Sequence, residues 1–493
     1  MHLLLIVAIA LLSAALLTYL LRATFRRMGR RALLRFRARV DRYKFAEKQV
    51  TIDAVLAEPA IAEAVQRHAR ENGEPEAASW VRVQRYLDEI VPQFNVLAYY
   101  RFGYGIANAM LRLFWKISVE SATPGSVTRL RKDAIVIYLI NHRSNADYLL
   151  VAWALAGRVS ISYAVGEWAR AFPLEFLFKR FGSYFIRRGY REVLYHTVLE
   201  QYVVHITQRG VTQGIFPEGG LTRDGRLRPG KVGLLDYLLG VARDPSYRER
   251  LHIVPVALNY DRVLEDRTLL RELRVREGTE RGSRLTQASE VFRYAGWNAV
   301  RLLTRRFKRY GRAAVIVGDP VPLASWFAGE DARAAGDFFA LSREQRLGRV
   351  QELCDDMLAR IGAIIPVTPV PLACAAIQSL DTDVMTRGQL EARMSEIRDV
   401  LVELNARELR RDRDISETFD IAYRMLRMRH VLARHGDTYV VLGRGRELVS
   451  YYANSIAHLL GEFEASVRAR DALPALVALG PFTVDSAGTP RAG

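Results

Sequence analysis

The chain has 493 residues, half of them apolar and 26% charged, with no low-complexity stretch, which excludes a fibrous or wholly disordered protein and is too long for one ordinary core. Its 2 cysteines, Cys354 and Cys374, stand in unrelated contexts and exclude a disulfide framework or a cysteine zinc site. The net charge of +18 calls for an anionic partner, whether nucleic acid, acidic lipid, phosphorylated metabolite or acidic carrier protein, and does not choose among them.

His2–Leu21 carries no formal side-chain charge and, at about 1.5 Å per residue, reads as a helix long enough for a roughly 30 Å hydrocarbon layer. A secretory signal is the competing reading, but the stretch lacks a basic leader and a small-residue cleavage site. Arg22, Arg26, Arg27, Arg30, Arg31, Arg35, Arg37 and Arg39 follow before the first acid, Asp41. By the positive-inside rule they hold the remainder on the cytoplasmic side of the inner membrane, and they suit anionic headgroups without any need for nucleic acid.

From Asp41 to Glu120 the pattern is helical, with amphipathic segments at Val83–Leu97, divided by Pro92, and at Tyr100–Ser118. The period then shortens. Strand-length apolar runs at Ala134–Ile140, Val159–Val165, Val211–Phe216, His252–Leu258 and Ala313–Val317 alternate with helix-length stretches. This predicts an α/β domain with a largely parallel or mixed sheet flanked by helices, whose ligands gather beyond the carboxyl ends of the strands. Helices return at Ser342–Ile364, Arg387–Arg413, Ser416–His435 and Arg446–Arg468, with one short strand at Thr438–Leu442. Ile364–Leu372, with Pro366, Pro369 and Pro371, reads as a linker. The expected division is an anchor over 1–21, a basic segment and helical leader over 22–118, the α/β domain over 119–327, a mainly helical domain over 328–484 and a frayed tail over 485–493.

The first of these strands runs into Asn141-His142-Arg143-Ser144-Asn145-Ala146-Asp147 and then an apolar helical stretch. His142 and Asp147 are five apart, out of phase in a helix and on opposite faces of a strand, so they meet only across a strand-to-helix turn. A helix-capping turn with Ser144 or Asn145 as cap is the plain alternative. A second loop follows the strand ending at Phe216: Pro217-Glu218-Gly219-Gly220 leads to Arg223, Arg226, Arg228 and Lys231. Paired glycines admit backbone N–H groups to an anion and the cations supply positive charge, so the loop reads as a phosphate cradle, with a solvated basic turn as the plain alternative. Gly225 to Lys231 also fits G-x4-G-K, yet Val232 replaces the metal-binding hydroxyl and no strand precedes it, which excludes a nucleoside triphosphatase. Between the loops lies Gly182-Ser183-Tyr184-Phe185-Ile186-Arg187-Arg188, downstream of Phe172, Phe176 and Phe178, a mixture that suits a nucleic-acid surface or, beside an N-terminal anchor, better a membrane interface, with plain core as the ordinary role of any single Phe.

Together, NHRSNADYLL, GSYFIRR, FPEGG with its distal arginine, and IVPVALNY resemble, in order, the four blocks of the glycerolipid acyltransferase superfamily, and most nearly its glycerol-3-phosphate branch. Where that branch's third block has Arg-Ser-Arg after the glycines, Leu221 and Thr222 stand here and only Arg223 is kept. The resemblance implies O-acylation of glycerol 3-phosphate at its sn-1 hydroxyl by an acyl thioester, acyl-CoA or acyl carrier protein, as the first step of phospholipid synthesis, with no cofactor and no metal. His142 is then the general base, Asp147 its orienting partner, and Gly219 and Gly220 the oxyanion donors. Arg143, Arg187, Arg188, Arg223 and Lys231 bind the acceptor, and Glu218 orients one of these cations. Acylation of lysophosphatidate or dihydroxyacetone phosphate, and a membrane-tethered binder of anionic lipid or nucleic acid without turnover, are the rival readings.

Overall fold

The computed structural model describes residues 48–92, 104–155, 161–166, 178–179, 182–187, 189–278, 309–469, 483–484 and 490–491. The apolar His2–Leu21 run, its arginines, Phe172, Phe176 and Arg188 lie outside them. Among the described residues no helix is long and apolar enough to cross a membrane.

A central sheet has strands β1 (Lys116–Ser121), β2 (Ile135–Ile140), β3 (Ser162–Gly166), β4 (Tyr184–Ile186), β5 (Gln213–Ile215), β6 (Leu251–Tyr260), β7 (Arg312–Val317) and β8 (Val321–Pro322). Their spatial order is β1-β7-β6-β2-β5-β3-β4, with β8 on β6. Strand β2 is flanked by parallel partners β5 and β6, and β3 and β4 continue parallel, whereas β7 and β8 run antiparallel to β6. The sheet is therefore mixed, as the run pattern allowed.

Strand alternation divides β2 between two cores: Val136, Tyr138 and Ile140 enter one hydrophobic cluster, Ile135, Ile137 and Leu139 the other. Burying each such aliphatic side chain contributes about 1.5 to 3 kcal/mol, which is why the central runs read as continuously apolar. One face is covered by α1 (Lys48–Leu56), α2 (Pro59–Asn72), α3 (Glu76–Ile90), α6 (Val193–Gln208), α7 (Gly233–Leu239), α9 (Ala324–Ala334) and α10 (Arg343–Ala363). The other receives α4 (Tyr104–Phe114), α5 (Asp147–Leu155), α8 (Asp266–Arg276), α11 (Pro369–Leu380), α12 (Arg387–Glu403), α13 (Ile415–Met428) and α14 (Gly445–Ala469). Strands β9 (Val384–Thr386), β10 (Leu432–His435) and β11 (Thr438–Val441) form a small antiparallel sheet among the last helices.

Four expectations are corrected. The proline-rich Ile364–Leu372 stretch is not a linker: α11 begins at Pro369, and Pro369, Val370, Pro371 and Leu372 are all buried. Proline is tolerated in a first helical turn because those N–H groups lack helical acceptors anyway. The helical pattern at Tyr100–Ser118 stops at Phe114, and Lys116 begins edge strand β1. The Ser416–His435 pattern ends as a helix at Met428, where His430 takes a positive φ and the chain turns into β10. The helix expected over Arg387–Arg413 ends at Glu403.

Candidate acyl-transfer site

Parallel register sets the site. Leu139 of β2 pairs with Ile215 of β5, so His142 and Glu218, each three residues further on, leave the sheet at one level. Asp147 opens α5 after the sharp turn at 141–146. Asn141 stitches the turn to β6, its side chain donating to and accepting from the Leu258 backbone at 3.0 and 2.7 Å.

His142 and Asp147 are buried, 1% and 0% exposed, and meet as the turn requires: His142 Nδ1 lies 3.0 Å from Asp147 Oδ2. The same oxygen accepts from the N–H groups of Arg143 at 2.7 Å and Ser144 at 2.9 Å, while Oδ1 accepts from the Tyr260 hydroxyl. The backbone and hydroxyl donors fix the carboxylate in place, where it can accept from Nδ1–H and orient the ring. His142 Nε2 has no hydrogen-bond partner among the described residues. The imidazole stacks on Phe216 with centroids 4.1 Å apart and meets Tyr148 edge-on at 5.4 Å. Ser144 Oγ donates to Glu265 at 2.7 Å, and Asn145 N–H reaches the same carboxylate at 3.3 Å. Ser144 Oγ also accepts from Ala146 N–H at 3.1 Å, a local serine turn just ahead of α5.

Glu218 makes its hydrogen bonds to main-chain N–H groups and none to a cationic side chain among the described residues. Its two oxygens accept from His142 N–H at 2.7 Å and Arg228 N–H at 3.0 Å, tying the second loop to the first. Burial pushes its carboxyl up to about 7, opposed by the Arg143 guanidinium and by those two N–H groups. Burial likewise raises Glu265 and the Tyr260 hydroxyl, the latter reinforced by Asp147.

The remaining cations divide sharply. Arg143 is buried and donates to the carbonyls of Gly225 and Ser455. Arg187 has its fork filled by Glu89 of α3, at 2.9 and 2.7 Å, beneath the rings of Tyr86, Tyr190 and Tyr195. Arg223 pairs with Glu272 of α8 at 2.9 Å. Lys231 is exposed and has no carboxylate partner among the described residues; its stem lies against Gly219, where φ is +66° and a Cβ would stand 2.8 Å from Lys231 Cδ. Among the described residues Arg228 is hydrogen-bonded through its main chain to Glu218 and by a long contact to the Leu221 carbonyl. Of the two glycine N–H groups, that of Gly219 donates to the Phe216 carbonyl and is spent, whereas that of Gly220 has no acceptor among the described residues. The free donors therefore gather at Gly220, Arg228 and Lys231, close to the His142 turn.

Sequence reasoning missed Tyr260, Glu265, Asn141 and Ser455. Asn141 and Tyr260 bound motifs already singled out, but their partners are more than 100 positions away.

Residues 126–259 match the family model described as Acyltransferase, and residues 297–462 match that described as Glycerol-3-phosphate acyltransferase C-terminal region. Similar curated proteins named Glycerol-3-phosphate acyltransferase come from Aeromonas hydrophila subsp. hydrophila, 26% identical over 88% of this chain and 51% of that one, and Pseudoalteromonas atlantica, 28% identical over 72% and 42%. A third, from Pasteurella multocida, is 28% identical over 57% of this chain and 33% of that one. The chain thus spans about half or less of the length of these relatives. A solved 1-acyl-sn-glycerophosphate (LPA) acyltransferase, PlsC, from Thermotoga maritima aligns at 18% identity over 53% of this chain and 78% of that chain with a TM-score of 0.28, too slight a likeness to bear on fold or function. The region that holds the parallel strands and the His142–Asp147 turn is thus similar to an acyltransferase domain. Within that likeness, the matched C-terminal region and the similar curated proteins are those of glycerol-3-phosphate acyltransferases.

Proposed function

We propose that the protein transfers a fatty acyl group from acyl-CoA or acyl carrier protein to the sn-1 hydroxyl of glycerol 3-phosphate, giving lysophosphatidate. The observation that carries this is the buried His142–Asp147 pair, with Nε2 unpartnered beside a loop rich in free donors. His142 Nε2 takes the hydroxyl proton, and Asp147 stabilises the imidazolium that forms. The alkoxide oxygen attacks the thioester carbonyl, the Gly220 N–H supports the developing oxyanion, and the C–S bond breaks as the thiolate recovers the proton from the imidazolium. Lys231 and Arg228 hold the acceptor phosphate. In this reading Arg187 and Arg223 support the site from its rim through Glu89 and Glu272, and His2–Leu21 anchors the chain at the inner membrane with the site in the cytoplasm.

The assay supplies glycerol 3-phosphate, lysophosphatidate and dihydroxyacetone phosphate separately, each with acyl-CoA and with acyl carrier protein thioester, and identifies the product. Glycerol 3-phosphate is expected to give the highest kcat/KM. Preference for either other acceptor would reassign the substrate, and no transfer to any of them would favour a binding role.

A further inference from the structure

The loop that carries the free donors is gripped from far along the chain. Arg143, next to the base, donates to the Gly225 carbonyl of that loop and, at 3.2 Å, to the Ser455 carbonyl of α14, 312 positions away. Among the described residues its Nε has no acceptor, and none of its hydrogen bonds goes to a carboxylate. Asn454, also on α14, donates through Nδ2 to the Asp224 carbonyl at 2.8 Å. Between these bonds the two backbones touch: Gly225 has φ +87°, and a Cβ there would stand 1.9 Å from the Tyr451 carbonyl oxygen. Only glycine fits this junction.

From the junction the contacts run to the base. Gly225 N–H donates to Thr222 Oγ1 at 3.1 Å, and Thr222 N–H donates to the His142 carbonyl at 3.2 Å. Helix α14 is itself braced on the other side of the turn, where the Tyr452 hydroxyl donates to Asp266 at 2.7 Å and accepts from Val263 N–H at 3.1 Å.

We propose that Arg143 and Asn454 are positioning residues through which the C-terminal helix α14 holds the 218–231 loop in register with His142, so that this helix is a working part of the acceptor site. A guanidinium buried under two main-chain carbonyls leaves no fork for a phosphate, so Arg143 acts through the loop and not on the substrate. The inference rests on the reading of this loop as the acceptor site.

The test uses the full chain. Asn454→Asp keeps size and shape but replaces the donor by an acceptor facing the Asp224 carbonyl, and Asn454→Ala removes the bond. Each is expected to raise the acceptor KM about 3- to 10-fold, Asp more than Ala, with the donor KM within about twofold, since one such hydrogen bond is worth roughly that factor. Arg143→Lys, whose ammonium reaches one carbonyl at a time, is expected to fall between wild type and Arg143→Gln. An unchanged acceptor KM in a folded Asn454 variant, or an equal rise for both substrates, overturns the proposal. Hydrogen exchange is read on the same variants: exchange across 218–231 is expected to quicken about 2- to 10-fold while the central strands stay unchanged. No change there overturns the tether whichever acceptor the wild type uses, whereas failure of the wild type to acylate glycerol 3-phosphate contradicts only the proposed function.

Discussion

Asp147→Asn separates chemistry from architecture because the surroundings of this residue are so uniform. Its Oδ2 accepts from His142 Nδ1, Arg143 N–H and Ser144 N–H, and its Oδ1 from the Tyr260 hydroxyl. An asparagine can place its carbonyl where Oδ2 was and keep all three bonds, leaving its amide to the Tyr260 hydroxyl, which rotates to accept. Only charge is lost. Turning charge-assisted hydrogen bonds into neutral ones costs about 1 kcal/mol apiece, offset by no longer burying an anion, so a net destabilisation of about 1 to 3 kcal/mol is expected. The imidazolium of the transition state loses its counter-charge, and the rate is expected to fall about 10²- to 10⁴-fold, or about 3 to 5.5 kcal/mol of barrier. Thiol release from an acyl thioester in the presence of glycerol 3-phosphate, measured beside a thermal melt on one preparation, reads both quantities. A folded Asn variant retaining more than about a tenth of wild-type turnover would refute the assignment of Asp147, and a variant that fails to fold would make the turn's structural role dominant.

Lys231→Ala is expected to raise the acceptor KM about 10-fold or more while leaving the donor KM unchanged, since a charge-assisted contact to phosphate is worth about 1.5 to 3 kcal/mol; a donor-side effect would reassign the lysine. Glu218 predicts a pH signature in stability. With its carboxyl raised from 4.5 to about 7, the neutral form is favoured in the fold, so its contribution is fully present below pH 4.5 and is lost as pH rises through about 7. Relative to Glu218→Gln, the wild type should lose about 3 kcal/mol between roughly pH 4.5 and 8, and a constant difference across that window would contradict the burial argument. Glu89→Ala should free Arg187 and lower stability by about 1 to 3 kcal/mol while sparing kcat, and a selective collapse of acceptor KM would instead give Glu89 a place in the site. Protease added to intact cells is expected to leave the acyltransferase region uncut, and cleavage from outside would reverse the proposed orientation.

The central sheet was legible because strands buried on both faces carry unbroken β-branched runs, as in Ile135–Ile140, and the His–Asp turn was legible because its spacing suits no regular element. Edge strand β1 was not, since Lys116–Ser121 alternates apolar and polar residues directly after an amphipathic helix and carries no turn signal between. Helix α11 was hidden by prolines that punctuate a linker and open a helix equally well. The division of the arginines was the least legible feature of the site. Arg143, Arg187 and Arg223 look alike in sequence, and what distinguishes them is a carbonyl of α14, a carboxylate of α3 and a carboxylate of α8 brought up by tertiary packing. The same holds for Glu218: its motif pointed to a cation, yet burial beside His142 made it a brace for the backbone.

The most direct test of the account is product analysis on wild type and His142→Ala in parallel, with an acyl thioester and glycerol 3-phosphate supplied to equal amounts of folded protein. The account predicts 1-acylglycerol 3-phosphate from the wild type and a yield lower by about 10² or more from the variant, at closely similar melting temperatures. A folded His142→Ala protein that still forms this product near the wild-type rate would contradict it.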